Sequence, residues 1–125
     1  MSDIQRERAE MLATFEASSN LPLLVFARLA GKSRDQINRE IKARRLLSLS
    51  LGNRDQRIPD WQLDPLRHKL VLAALARFPD VDAWGLYRTL CETHEQLKGH
   101  SPIDGLTMGN FELTIRIVCS ALGSS

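Results

Sequence analysis

The sequence has few of the residues that enzyme active sites and metal centres require. Its three histidines are His68, His94 and His100. None of them stands at a metal-ligand or catalytic-triad spacing from a cysteine or an acidic residue. A glycine-rich phosphate-binding loop is also lacking. We therefore expect neither an enzyme, nor a metal site, nor a cofactor.

Cysteine is equally scarce. Cys91 and Cys119 are the two cysteines of the chain, and both stand inside apolar helical patterns. We interpret them as reduced core residues. A disulfide between them, or a two-cysteine metal site, is the lesser alternative.

Long apolar runs are missing. No run approaches the roughly 20 residues that a membrane-spanning helix needs. The first residues, MSDIQRERAEM, are charged and lack the apolar core of a signal peptide. We expect a cytoplasmic protein with no membrane contact. With 125 residues, 43% of them hydrophobic, the chain is long enough for one domain, or for two small domains that share a core.

Positive charge is concentrated in one stretch. From Arg28 to Arg57 there are nine basic and three acidic residues, which gives +6 over 30 residues. From Trp61 onward, six basic and seven acidic residues give −1. This asymmetry favours a polyanion as the partner of the basic stretch. The alternative is that its arginines simply form a solvated surface.

An apolar segment at residues 20–31 predicts a short helix. Asn20 is expected to cap it, with Leu21 and Pro22 in its first turn, where proline is tolerated. Gly31 is expected to end it in the left-handed conformation. Four apolar residues have the spacing to pack inward: Leu24, Val25, Ala27 and Leu29.

A basic helix is predicted next. Ser33 is its expected N-cap, and Gln36 stands three residues on, as in a capping box. Ile37 and Ile41 mark its buried side. The opposite side shows five polar residues: Arg34, Asp35, Asn38, Arg39 and Lys42. A short helix, a turn and a basic helix form the pattern of a helix-turn-helix.

A β-hairpin is predicted after the basic helix. Leu47, Leu49 and Leu51 alternate with serines, and this period of two favours a strand with one buried face. A polar turn covers residues 52–56. A second strand opens on Arg57 and Ile58, and Pro59 stops it. Such a hairpin would form the wing of a winged helix-turn-helix.

The basic helix has a physical reason to contact DNA. A helix fits the major groove, and packing of the preceding helix aims it there. We expect Arg34, Asn38 and Lys42 to point outward on one line, because arginine can donate two bonds to guanine and asparagine can pair with adenine. The other candidate DNA-binding residues lie beside this line or on the wing: Lys32, Ser33, Arg39, Arg44, Arg45, Arg54 and Arg57.

Simpler interpretations stand beside these. Arg34 and Asn38 are equally typical of a helix surface that contacts only solvent. Glu40 could form ion pairs with Arg39 or Arg44 and neutralise part of the charge. Trp61 is more typical of a core or hinge aromatic than of a base-stacking group.

The C-terminal half predicts four helices. Asp64 and Pro65 open one that reaches about Phe78 and is apolar nearly all round, which marks it as the central buried helix. A second helix carries Trp84 and Cys91 and has a tail that ends at Gly99. A short helical turn starts at residues 101–102, and a last helix occupies residues 111–122.

Two family resemblances follow from these patterns. Residues 44–46, 51–54 and 57–59 make the basic segment similar to the winged helix-turn-helix of phage excisionases and MerR-like regulators, which implies DNA binding. Residues 80–123 resemble the C-terminal toxin-binding domain of Xre/ParS antitoxins. Seven residues carry that second resemblance: Leu97, Gly99, Ser101, Pro102, Ile103, Leu106 and Gly109.

The antitoxin resemblance implies a scaffold more than a binding role. It gives Gly99 a positive-φ turn, makes Ser101 an N-cap and puts Pro102 at the first helical position. The chain departs from the family in its N-terminal part, because that part is all-helical in those antitoxins and winged here.

The sequence therefore predicts a mainly α fold, with a helix-turn-helix and a small β-hairpin wing followed by a four-helix C-terminal bundle. Residues 1–63 would form the DNA-binding region with its N-terminal helix, and residues 64–125 a helical dimerisation or partner-binding domain. The expected function is that of a sequence-specific transcriptional regulator that binds double-stranded DNA as a homodimer. One alternative is an antitoxin that neutralises a cognate toxin and autoregulates its operon. The other is an interaction adaptor that does not bind DNA.

Overall fold

The chain folds into helices with one small sheet. A computed structural model of the chain describes residues 2–123, and Met1, Ser124 and Ser125, at the outer ends of the two predicted domains, lie outside that range. Within it there are seven α-helices and one two-stranded antiparallel sheet. The prediction of a mainly α fold with a small β element is confirmed.

The elements follow one another in a simple order. The helices are α1 (Asp3–Phe15), α2 (Leu23–Ala30), α3 (Arg34–Lys42), α4 (Pro65–Arg77), α5 (Ala83–Cys91), α6 (Pro102–Gly105) and α7 (Phe111–Gly123). The strands are β1 (Asn20–Pro22) and β2 (Arg57–Pro59). Among residues 2–123, no helix combines the length and the apolarity that crossing a bilayer would require.

Three helices begin at the side-chain caps that the sequence predicts. The Ser33 hydroxyl accepts a hydrogen bond from the amide of Gln36 at 3.1 Å and so caps α3. The Asp64 carboxylate accepts from the Arg67 amide at 3.0 Å at the start of α4. Ser101 caps α6 in the same way. These local bonds replace the intrahelical partners that the first amides of a helix lack.

Two glycines adopt the left-handed conformation that was predicted for them. Gly31 ends α2 with φ of 70°, and Gly99 precedes α6 with φ of 82°. The tail predicted between α5 and Gly99 is not helical, however. The helix ends at Cys91, and His94 and His100 then close a turn through an isolated β-bridge.

The prediction that Asn20 caps a helix is wrong. Residues 20–22 form β1, which pairs with β2 in the register Leu21↔Ile58, and α2 begins at Leu23 without a side-chain cap. The Asn20 side chain is buried, and its amide nitrogen donates to the Thr14 carbonyl at 2.7 Å and to the Tyr87 hydroxyl at 3.3 Å. The asparagine therefore ties the N-terminal half to α5.

The inward face of α2 also differs from the prediction. Leu24 and Leu29 are 58% and 61% exposed, whereas Phe26 and Ala27 are buried. The cause is the helical period, which places Leu24 and Leu29 outside the face that is buried. With Leu23 as its first residue, positions 23, 26, 27 and 30 share the face that packs on the core.

The predicted hairpin is only partly formed. Its second strand is present as β2, but residues 47–51 contribute a single isolated bridge between Leu49 and Arg57. The two residues exchange both backbone hydrogen bonds, at 2.8 and 3.0 Å. Since β1 pairs with the other side of β2, β2 lies between β1 and Leu49.

Two hydrophobic clusters hold the molecule together. The N-terminal core consists of Phe26, Ala27, Ile37, Leu46 and Ile58. The C-terminal core consists of Leu47, Leu70, Val71, Ala74, Leu75, Leu86, Leu90, Ile103, Ile115 and Val118. Four of these ten residues lie on α4, as expected of a central helix. The neighbours Leu46 and Leu47 point into different cores, so the chain after α3 passes between them.

The two cysteines are free thiols. Cys119 is half-buried, whereas Cys91 is exposed, so the prediction of a core position is wrong for Cys91. Cys91 is the last residue of α5, and the core-facing positions of that helix are taken by Leu86 and Leu90.

Candidate nucleic-acid interface

Two short helices form the base of the basic surface. Residues 31–33 join α2 to α3, and Ile37 of α3 is completely buried in the N-terminal core beside Phe26 and Ala27. Ile41, one turn later, is half-buried against the same core. Because these isoleucines are the only apolar residues of α3, they fix which side of the helix faces solvent.

The opposite side of α3 carries exposed cations. At 100° per residue, Arg39 lies diametrically opposite the Ile37–Ile41 stripe, with Lys42 beside it. Arg34 stands in the first turn, about 20° around the helix from Ile41, and so lies on the isoleucine face at the exposed N-terminal end. All three residues are exposed, and their side chains make no hydrogen bond or ion pair with any residue in the range 2–123.

Asn38 is less open than the cations. It lies on the flank of α3, closer to the buried stripe than Arg39, and is half-buried. The predicted line of Arg34, Asn38 and Lys42 thus consists of two exposed cations with a recessed amide between them. Arg39 lies further out than any member of that line.

The side chains of the turn before α3 already have partners within the protein. The Ser33 hydroxyl is used as the N-cap. The Lys32 ammonium lies 2.9 and 3.0 Å from the two carboxylate oxygens of Glu40. The sequence suggested Arg39 or Arg44 as partners of Glu40, but the acid pairs with Lys32 instead, eight residues back along the chain. Lys32 precedes α3 and Glu40 lies within it, so a rule for i,i+4 neighbours on one helix does not predict this ion pair.

The two arginines after α3 differ from each other. Arg44 has a left-handed φ of 61°, and its guanidinium donates to the Val81 carbonyl at 3.1 Å. Arg45 has an exposed side chain without a partner in residues 2–123, while its backbone carbonyl accepts a bond from His68 at 2.7 Å. The guanidinium of Arg44 is held against the C-terminal half, and that of Arg45 is available.

The two arginines of the predicted wing differ in the same way. Arg54 is exposed and makes no side-chain bond with the described residues. Arg57 is half-buried, and its guanidinium carbon lies 5.4 Å from the centre of the Phe15 ring. Its Nε is buried without a hydrogen-bond partner in the described chain. Arg57 therefore anchors α1 over β2 through a cation–π contact.

Two side chains from later in the chain, Gln62 and Trp84, brace the predicted wing. Buried Gln62 accepts from the Leu47 amide at 2.7 Å and donates to the Leu47 carbonyl at 2.9 Å. The Trp84 indole donates to the Ser50 carbonyl at 2.9 Å. These residues position the site, yet the sequence gives no signal for them, because each acts on a backbone group far away along the chain.

Two aromatic residues complete this brace. Trp61 packs on the C-terminal core and stacks on Tyr87 with 6.5 Å between ring centres, so it is a core aromatic. Burial raises the pKa of Tyr87 above its ordinary value of 10.0. The phenol is therefore uncharged at neutral pH, and it accepts the hydrogen bond from Asn20.

Of the eight predicted cations, five have unengaged side chains within residues 2–123: Arg34, Arg39, Lys42, Arg45 and Arg54. The other three are Lys32, Arg44 and Arg57, each with an intramolecular partner. Across the same range, no group of three or more His, Cys, Asp or Glu side chains is arranged to hold a metal ion.

Comparison of the chain with protein-family models, with curated proteins and with solved structures finds no match. The case for any function therefore depends on the chain's own residues.

Proposed function

We propose that this protein is a transcriptional regulator that binds double-stranded DNA by inserting α3 into the major groove. The observation that carries the proposal is the row of exposed, unengaged cations Arg39 and Lys42 on the side of α3 turned away from Ile37 and Ile41, with exposed Arg34 at the N-terminal end of the helix. A polyanion is the partner that such a row would attract.

In this proposal, the residues that lie nearest the groove floor contact the bases. Arg39 lies furthest from the protein body, and Arg34 stands in the first turn of α3, the end that commonly contacts bases in helix-turn-helix proteins. Either guanidinium can donate two bonds to guanine. Lys42, Arg45 and Arg54 would contact phosphates, which position the protein without selecting sequence.

A homodimer would supply the affinity that one small module lacks. Two copies related by twofold symmetry would contact half-sites one helical turn apart, or a multiple of that spacing. The C-terminal half would provide the contact between copies or with another protein partner.

A binding titration at several salt concentrations tests the proposal. The three phosphate contacts of Lys42, Arg45 and Arg54 give a slope of log K against log salt of roughly −2.7 for each bound protomer. Arg39→Ala is expected to weaken binding and to change the preferred sequence, whereas Arg54→Ala should weaken binding equally for all sequences. Absence of salt-sensitive binding to any duplex would remove DNA binding and leave the adaptor as the remaining interpretation.

A second candidate is an antitoxin that autoregulates its operon. It is favoured by the turn before α6, where Gly99, Ser101 and Pro102 adopt the conformations that the antitoxin resemblance implies. Nearby, Met108 is 87% exposed and Leu113 is 42% exposed, which offers apolar contact to a protein partner. Co-expression with a toxin encoded by the adjacent gene should then restore growth, and Met108→Asp should abolish the rescue while preserving DNA binding.

A further inference from the structure

A cleft runs along one side of α3. Its volume is about 420 Å³, and it is lined by Lys32, Gln36, Arg39, Glu40, Ala43 and Arg45. Three of these side chains are cations and one is a carboxylate. The guanidinium groups of Arg39 and Arg45 have no partner among residues 2–123. The cleft is thus a concave surface with two available positive charges and a third that is already paired.

The paired charge belongs to Lys32. Its ammonium contacts both carboxylate oxygens of Glu40, at 2.9 and 3.0 Å, in the one ion pair that residues 2–123 form. The Lys32 side chain is 37% exposed and that of Glu40 is 20% exposed. Ion pairs this open to water are weak, so a stronger or multiply charged anion can displace the carboxylate.

We propose that this cleft seats one backbone phosphate of the bound duplex, with Lys32 and Arg45 around it, and that Glu40 competes with the phosphate for Lys32. The proposal rests on the DNA-binding function proposed above. A carboxylate and a phosphate cannot occupy the same side of one ammonium without repelling each other. Glu40 therefore lowers the affinity of the free protein for DNA.

The competition affects affinity and not sequence discrimination. Phosphate contacts carry no direct sequence information, so the penalty from Glu40 applies to every duplex alike. It reduces the electrostatic affinity for random and preferred DNA by the same factor and leaves discrimination to the base contacts. Glu40 acts in this scheme as a residue that sets the affinity for DNA, although it need not contact the duplex.

The experiment is a double-mutant cycle on a random-sequence duplex, which requires no knowledge of the operator. Wild type, Glu40→Gln, Lys32→Ala and the double variant are titrated between 50 and 200 mM salt. The matched control is Asp35→Asn, which removes an exposed carboxylate of the same helix that has no ion-pair partner in the described chain. Thermal unfolding verifies that each variant is folded.

Release of Lys32 should add about one phosphate contact. Glu40→Gln is then expected to tighten binding by about fivefold to tenfold near 0.1 M salt and to steepen the log–log slope by about 0.9. Asp35→Asn should tighten binding by a smaller factor and leave the slope unchanged. Lys32→Ala should weaken the Glu40→Gln protein about tenfold but the wild type less than threefold, since the lysine of the wild type is already occupied.

Two results would overturn the proposal, and they differ in what else they overturn. Equal effects of Glu40→Gln and Asp35→Asn, with Lys32→Ala equally costly in both backgrounds, would refute the phosphate seat. In that case salt-sensitive binding by the wild type would leave the proposed DNA-binding function intact. No salt-sensitive binding by any of the five proteins would refute both.

Discussion

The cations of α3 and those of the segment after it differ in how many are engaged by the protein. On α3, Arg34, Arg39 and Lys42 are exposed and unengaged within residues 2–123. After α3, two of the four cations are engaged, because Arg44 donates to the Val81 carbonyl and Arg57 lies over Phe15. The charge of +6 over residues 28–57 thus overstates what a ligand can contact, because part of it holds the protein together.

The difference follows from how each part packs. The α3 helix meets the protein through one apolar stripe, Ile37 and Ile41, so most of its circumference remains in water. The chain after α3 passes between two cores and is bonded to the C-terminal half by His68, Gln62 and Trp84. One part is presented to solvent, and the other is braced.

Removal of the brace should have the largest effect. Gln62→Leu leaves the buried amide and carbonyl of Leu47 without their partners. Each unpaired buried group costs about 1–3 kcal/mol, so we expect a loss of about 2–4 kcal/mol in the free energy of unfolding. Urea denaturation measures it. The control is Gln96→Leu at an exposed position, and a loss below about 1 kcal/mol would mean that Gln62 does not brace the wing.

The second-largest effect is expected in DNA affinity, which should distinguish the unengaged cations of α3 from the engaged Arg44. Arg39→Ala with Lys42→Ala removes one expected base contact and one expected phosphate contact, which should weaken binding roughly fiftyfold near 0.1 M salt and reduce the log–log slope by about 0.9. Arg44→Ala should leave the slope unchanged, because its guanidinium is bonded to Val81. Fluorescence anisotropy measures both proteins. Equal log–log slopes would mean that the unengaged cations of α3 and the engaged Arg44 contribute alike to DNA binding.

The turn that leads into α3 provides a sharper comparison of stability. Gly31 has φ of 70°, a conformation that costs a residue with a Cβ about 1–2 kcal/mol. Gly31→Ala should therefore destabilise the protein by that amount, although the added Cβ meets no atom within 4 Å. Gly85 is the matched control, since it lies inside α5 with an ordinary φ and its Cβ would sit 3.8 Å from its nearest neighbour.

Gly85→Ala is expected to be neutral or to stabilise the protein by up to about 1 kcal/mol, because alanine favours a helix more than glycine does. Thermal unfolding of both variants gives the comparison. If the two substitutions shift the melting temperature in the same direction and by the same amount, the turn at Gly31 does not require a positive φ.

Arg44 should show the smallest effect. Its φ of 61° is strained for arginine, and its bond to Val81 compensates. Arg44→Gly loses the bond but relieves the strain, so the free energy of unfolding should stay within about 0.5 kcal/mol of wild type, whereas Arg44→Ala should cost about 1 kcal/mol. If alanine were tolerated better than glycine here, Arg44 would not be held in a strained conformation.

Local features of the fold were predictable from the sequence. Ser33, Asp64 and Ser101 cap helices, and Gly31 and Gly99 adopt a left-handed φ. These features could be predicted because each depends only on neighbours within a few residues. Strand β1 was missed. Three residues that include a proline give no periodic signal, and their strand exists only because β2 pairs with them from 37 positions further along the chain.

The candidate site shows the same division. The exposure of Arg39 and Lys42 follows from the helical period and the two isoleucines of α3, whereas Arg34 lies on the isoleucine face and is exposed at the N-terminal end of the helix. The engagement of Lys32 depends on the geometry of a turn, and that of Arg44 on a carbonyl of the α4–α5 loop. Sequence periodicity places a side chain on a face of its own helix, and it carries no information on which distant backbone group will approach it.

The central claim is that α3 is the surface that meets duplex DNA. Backbone amide shifts of the ¹⁵N-labelled protein, followed by NMR as a short duplex is added, test it most directly. We predict that the largest shifts fall in residues 33–45 and around Arg54, while α4 and α7 stay unperturbed. Shifts confined to the C-terminal half, or none in α3, would contradict the account.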